Sequence, residues 1–314
     1  SAFIVESFYN IFGNNDWAYY LLSQIFMIIA FISIFKFSED FFNSRYLALI
    51  SVLLLEGIYF YNYTSPEFNV NVCQIPFWTL SIFFTWRCIK YDKVKDYALL
   101  GLFIGLGILS KYLFIYLVIG IKLLFIYLLY KKKKIKIHHC FIIGPVALII
   151  LSPHLNWLFE NNFSTITYAF QRTGGIGSFF DHFLFPIVFL SKQILILLPF
   201  FVMSFFLIKK FKFRFSFKDE KNVFLFFTVF TPIILVFLTS MILGSKIRTM
   251  WMTPFYLFFG TLFVYMLQNQ INIKKIKPFV IGFVFFFFLS PILYTYVSIS
   301  KDDKRTDYPG KEIA

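Results

Sequence analysis

Long apolar runs separated by short polar breaks make up most of this chain. Ten of them are long enough to cross a bilayer core of about 30 Å as helices. They lie near 17–35, 46–62, 72–89, 96–110, 112–130, 138–157, 183–208, 222–243, 250–267 and 278–299. The pattern predicts an all-α polytopic transmembrane bundle of about ten spans.

The polar breaks alternate in character. Every second one is basic: Lys36 and Arg45; Arg87, Lys90, Lys93 and Lys95; KKKKIK at 131–136; KKFKFRFSFKDEK at 209–221; KKIK at 274–277. The positive-inside rule places these in the cytoplasm and both ends of the chain outside. Composition fits a membrane protein, with 59% hydrophobic residues, 15% charged and a mean hydropathy of +0.74, well beyond a soluble domain. The net charge of +14 does not point to nucleic acid, because the cations sit in short clusters between apolar runs and form no continuous face. The 49 phenylalanines are read as a compositional bias without functional weight.

Against this map, GLFIGLGILSKYLFIYLVIG (101–120) holds one lysine in an otherwise apolar stretch. The break at SKY falls on the extracytoplasmic side, so Lys111 sits at an interface, where a lysine can snorkel at little cost. The same side collects Glu67, Asn69, Asn71, His154, Asn156, Glu160, Arg172, Lys246 and Arg248. Lys246 and Arg248 run against the positive-inside bias, and an anion could hold them there. A lipid phosphate suits that depth, since its oxygens match both the fork of an arginine and the point charge of a lysine. Contact with lipid headgroups alone is the simpler role for any one of these cations. Glu56, inside the second run, is expected to face the bundle and hydrogen-bond a neighbouring helix.

Other signals carry little. Cys73, Cys88 and Cys140 lack metal or redox spacing, HHC at 138–140 adjoins a basic cluster, and RTGGIGS (172–178) reads as an outer loop rather than a phosphate-binding glycine loop. The sequons at Asn62 and Asn162 are short-motif coincidences.

The order SPEFNVNVCQIPFWTLSIFFTWRCIKYDKVKDYALLGLFIGLGILSKY, then LSPHLNWLFENNFSTITYAFQR, resembles the glycosyltransferase family 39 type of GT-C membrane enzymes, which includes protein O-mannosyltransferases and lipid A aminoarabinose transferases. The resemblance implies an extracytoplasmic cavity where an acceptor hydroxyl attacks a sugar carried on polyprenyl phosphate, with a carboxylate as general base and cations on the leaving phosphate. Carried over position by position, it assigns donor-phosphate binding to Lys111 and Arg172 and catalytic positions to Glu67 and Asn71; the one-sided polar pattern adds Lys246 and Arg248 to the phosphate binders and Asn69, His154 and Asn156 as cavity lining. Asn71 stands where many relatives have aspartate, with Glu67 nearby as a substitute. No metal ligand and no cofactor are assigned. A divalent metal is compatible with the family, although Ala169 stands where some relatives have a metal-binding histidine.

The resemblance further implies a transmembrane domain over 1–299 that lacks the family's first span and first loop. The principal catalytic acid is accordingly expected upstream of Ser1. The same resemblance reads 300–314 as the start of an extracytoplasmic segment. The expected partners are a polyprenyl-phosphate sugar donor, a lipid, glycan or protein acceptor, and membrane lipids, with the protein in a bacterial inner membrane and its active face periplasmic. A polytopic transporter or lipid flippase is the alternative. It would show internal repeats and a pathway reaching both faces, whereas the polar residues here gather at one.

Overall fold

The structure, a computed structural model, describes residues 2–132, 135–172, 178–208, 215–272 and 276–300, without the side chains of 169, 170 and 172. Ser1, upstream of which the principal catalytic acid is expected, lies outside the described residues, as does the expected extracytoplasmic segment beyond Ser300. The structure therefore places neither.

Each predicted apolar run is helical. Helix α1 (Ala2–Phe12) leads into α2 (Asp16–Phe42), and α3 (Arg45–Leu53) continues through a 3-10 turn at Leu54–Gly57 to α4 (Tyr59–Asn62). Next come α5 (Val70–Tyr91) and α6 (Val94–Ser110), then a 3-10 turn at Tyr112–Phe114 that opens α7 (Ile115–Tyr130). Helices α8 (Ile137–Glu160), α9 (Ser164–Arg172) and α10 (Asp181–Leu207) follow. Helix α11 (Glu220–Leu225) passes through a π-helical turn at Phe226–Phe230 into α12 (Thr231–Leu243). A 3-10 segment, Thr249–Tyr256, meets α13 (Phe259–Leu267) at a 50° bend, and α14 (Lys277–Ser300) closes the described chain.

Among the described residues, six helical segments are individually long and apolar enough to cross a membrane, and the bent pair makes seven. The protein is therefore an integral membrane protein. The remaining expected spans are helices of the same bundle with distinct features. The second run is interrupted at Leu54–Gly57, and α6, at 17 residues, reaches only about 25 Å at the α-helical rise. Helix α5 buries Asn71, Gln74, Thr79, Ser81 and Thr85. Its threonines donate back to the backbone, Thr79 to Pro76 O at 2.9 Å and Thr85 to Ser81 O at 2.7 Å, which satisfies them where water is scarce.

Helices in lipid gain little from excluding water, so close backbone approach supplies much of their association. Helix α6 meets α8 through Gly101 and Gly105, one turn apart. A Cβ at Gly101 would lie 2.6 Å from Ile143 O, and one at Gly105 would lie 2.8 Å from Ile150 Cβ. Gly260 of α13 meets the Ser51 carbonyl of α3 in the same way. The phenylalanines serve packing: Phe37 of α2 contacts Phe41, Phe224 and Phe258 at ring distances of 5.0 to 5.6 Å. Each such pair adds roughly 0.5–1.5 kcal/mol beyond area burial.

Cross-element hydrogen bonds include one set at each end of the bundle. At the basic end, Asp40 accepts from Trp86 Nε1 at 2.8 Å, Lys90 Nζ at 2.6 Å and Tyr91 OH at 3.2 Å. There Asp92 accepts from His139 Nδ1 at 3.0 Å, Asp96 from Arg87 at 2.8 Å, and Asp219 from Tyr265 OH at 2.5 Å. Each carboxylate ties a helix end to a neighbour. At the opposite end Ser23 donates to Ser65 O at 2.5 Å, Tyr61 to Thr253 O at 2.6 Å and Tyr294 to Glu67 at 3.3 Å. That second end carries the candidate site.

Candidate phosphate-binding site

The SKY break is built from α6 outward. Lys111 leaves the helix in an extended conformation, φ −166° and ψ 134°, with its backbone N–H donating to Gly107 O at 3.1 Å. Gly107 leaves room for the Phe114 ring, which lies where its side chain would be, so the turn folds back onto α6. Phe114 meets Trp78 of α5 edge-on at 5.4 Å, and Trp78 meets Phe255 at 4.7 Å. All three are buried and form an apolar floor.

Lys111 precedes Phe114 by three residues. Its Nζ donates to Asn71 Oδ1 at 2.5 Å and lies 5.3 Å from the Trp251 ring centroid, within cation–π range. Asn71 is held by its neighbour, since Asn69 Oδ1 caps α5 by accepting from the backbone N–H of Asn71 at 2.9 Å and of Val72 at 3.3 Å. Asn69 is thus a helix cap. The amide oxygen orients the ammonium. The arrangement suits an anion.

Trp251 lies in the 3-10 segment that follows the loop with the two unexpected cations, its backbone N–H donating to Arg248 O at 3.0 Å. Lys246 and Arg248 are both exposed. Gly244, in the left-handed region at φ 58°, begins this loop against His182, whose Nδ1–H donates to Met241 O at 2.9 Å. Arg172 ends α9, and its side chain lies outside the described residues.

Tyr112, next in sequence, faces another neighbour. Its hydroxyl bonds His154 Nε2 at 2.7 Å and Thr165 Oγ1 at 2.8 Å. His154 also stacks on Trp157, with centroids 5.8 Å apart and planes 13° apart. Asn156 lies on α8, two residues beyond His154. Glu67 is half-buried, with Tyr294 OH donating to it. Glu56 falls in the 3-10 break of its run, where Asn62 Nδ2 donates to its backbone oxygen at 2.5 Å.

Trp251, Tyr112, Thr165 and Gln74 escaped the sequence reading. Gln74 lies one turn beyond Asn71, fully buried, and neither side-chain amide atom has a hydrogen-bond partner among the described residues. Tyr112 and Trp251 look like ordinary interfacial aromatics in sequence. Only their adjacency to Lys111 and Arg248 offered a signal. Among the described residues no three His, Cys, Asp or Glu side chains converge as a metal would require.

In Wigglesworthia glossinidia brevipalpis, an undecaprenyl phosphate-alpha-4-amino-4-deoxy-L-arabinose arabinosyl transferase is 30% identical over 108 residues, which cover 32% of this chain and 18% of that protein. The crystal structure of ArnT from Cupriavidus metallidurans, bound to undecaprenyl phosphate, superposes with a TM-score of 0.64 at 15% identity. The superposition covers 94% of this chain and 54% of that one, so the fold is shared and this chain spans about half of its length. The family profile described as dolichyl-phosphate-mannose-protein mannosyltransferase matches residues 1–157, half of the chain, and this all-helical membrane protein belongs to that family.

Proposed function

We propose that this chain forms the membrane domain of a polyprenyl-phosphate-dependent glycosyltransferase. It transfers a sugar from the lipid carrier to an acceptor hydroxyl at the extracytoplasmic face of a bacterial inner membrane. The observation that carries the reading is the Lys111–Asn71–Trp251 cluster at the end of the bundle away from the basic loops. The family match and the undecaprenyl phosphate in the structurally similar ArnT support the same ligand class.

In this reading Lys111 meets the carrier phosphate and offsets the charge that builds on it as the anomeric C–O bond breaks. Asn71 fixes the ammonium's direction, and Trp251 shields one side from water. Lys246 and Arg248, on the loop before Trp251, approach the same phosphate, with Arg172 completing the set. Glu67 is the carboxylate nearest in sequence to Asn71 and takes the acceptor proton. Asn69 holds the start of α5, and His154 and Asn156 border the site along α8.

The test is equilibrium binding of undecaprenyl phosphate to the detergent-purified protein. Lys111→Ala should weaken it by about tenfold or more, as expected for a lost charge-assisted bond. Membrane insertion should be unaffected. Unchanged affinity would reduce Lys111 to an interfacial anchor and remove the basis of the proposal.

A further inference from the structure

Tyr112 sits between two jobs. Its neighbour Lys111 reaches α5 and the Thr249–Tyr256 segment, while its own hydroxyl reaches α8 through His154 and α9 through Thr165. Helix α9 lies on the surface. Of its described side chains, Thr165 is half-buried, while Ser164, Ile166, Thr167, Tyr168 and Gln171 are exposed. Hydrophobic burial therefore does little to fix α9, and a specific polar contact counts for more. That contact is well formed, because the phenol has one proton and two lone pairs and meets partners at 2.7 and 2.8 Å. With a neutral His154 accepting at Nε2, Tyr112 donates to it and receives from Thr165. With a protonated His154 donating, Tyr112 donates to Thr165 instead. Either direction keeps both bonds. The stack of His154 on Trp157 holds the imidazole plane for this purpose.

We infer that Tyr112 is a positioning residue, a hydroxyl latch that fixes α9 against the turn carrying Lys111 and so sets one wall of the carrier-phosphate site. The inference rests on the carrier-phosphate reading of Lys111 and concerns Tyr112 and Thr165, which that reading leaves unused. Thr165 is the latch partner on α9, and His154 is the fixed post on α8. Removing the hydroxyl would leave the floor of Phe114, Trp78 and Phe255 in place, because it is built from other side chains.

The test compares Tyr112→Phe, Thr165→Val and Thr165→Ser with the parent protein, each purified in detergent. Amide hydrogen exchange is measured across 164–172 and across 72–91, together with the affinity for undecaprenyl phosphate. Tyr112→Phe and Thr165→Val should both speed exchange in 164–172 and leave 72–91 unchanged. Affinity should fall roughly three- to tenfold, the range of one net hydrogen bond. Thr165→Ser keeps the hydroxyl and should behave like the parent. Unchanged exchange at 164–172 in Tyr112→Phe would overturn the latch, and so would a uniform rise across both regions, which would mark a general structural role. The two readings fail separately. If Lys111→Ala leaves affinity unchanged, the phosphate site falls, while the exchange measurement still decides the latch.

Discussion

The Lys111 ammonium and the Asn71 side-chain oxygen meet at 2.5 Å across forty residues of sequence, joining the end of α6 to the start of α5. Asn71 is 8% exposed, so this is a directed contact at the edge of the core. Asn69 caps α5 independently, which lets the two roles be separated. Asn71→Leu should leave helix content and insertion intact and weaken undecaprenyl phosphate binding by about three- to tenfold, the equivalent of one lost net hydrogen bond. Asn69→Ala should instead lower stability by about 1 kcal/mol, typical of a lost cap. Circular dichroism and denaturant titration beside the binding assay distinguish the outcomes.

The α6–α8 contact should be intolerant of side chains. At Gly105 a Cβ would lie 2.8 Å from Ile150 Cβ and 3.2 Å from Ala147 O, so Gly105→Val must push the helices apart. Overpacking of this kind costs about 1–3 kcal/mol. Gly144, on α8, has nothing within 4 Å of its would-be Cβ, and Gly144→Ala is the matched control. Thermal unfolding in detergent should show a lower midpoint for the first variant and no loss for the second.

At the basic end, Asp92 supplies a pH dependence. Burial opposes its ionisation, yet hydrogen bonds from His139 and Tyr97 prevail and hold its carboxyl below the usual carboxylate range. A depressed folded-state pKa means a contribution fully present above the unfolded value of about 3.9 and lost as pH falls through the folded value. Asp92→Asn should therefore be less stable than the parent at pH 7, with the gap closing in acid. Denaturant unfolding at both pH values checks this, and a gap independent of pH would refute it.

The two sets of hydrogen bonds make orientation testable. Single cysteines in place of Arg45 and the exposed Lys218 should react with a membrane-impermeant thiol reagent from one side of the membrane only. Cysteines at the exposed Asn161 and Lys246 should react only from the other. The native cysteines, of which Cys73 and Cys88 are buried, are replaced first. Labelling of both groups from one side would contradict the site assignment.

The sequence by itself determined the all-helical membrane class, the positions of the helices and the alternation of basic and other loops, because each depends on local quantities. About twenty apolar residues in a bilayer must satisfy their backbone internally whatever surrounds them, and lysines mark loop sidedness without tertiary contacts. It also singled out Lys111, since a charge inside an apolar run stands out by contrast alone. Other features required the fold. The partner of Lys111 could not be read from SKY, because Asn71 and Trp251 reach it from segments distant in sequence. The interruption of the second run at Leu54–Gly57 was likewise hidden, as its apolar pattern continues through the break. Tyr112 resembled any interfacial tyrosine until two helices placed His154 and Thr165 on either side of its hydroxyl. Hydrophobic patterning is a one-dimensional signal and survives in the sequence, whereas a hydrogen bond between distant segments depends on distances and angles that only the packed bundle sets.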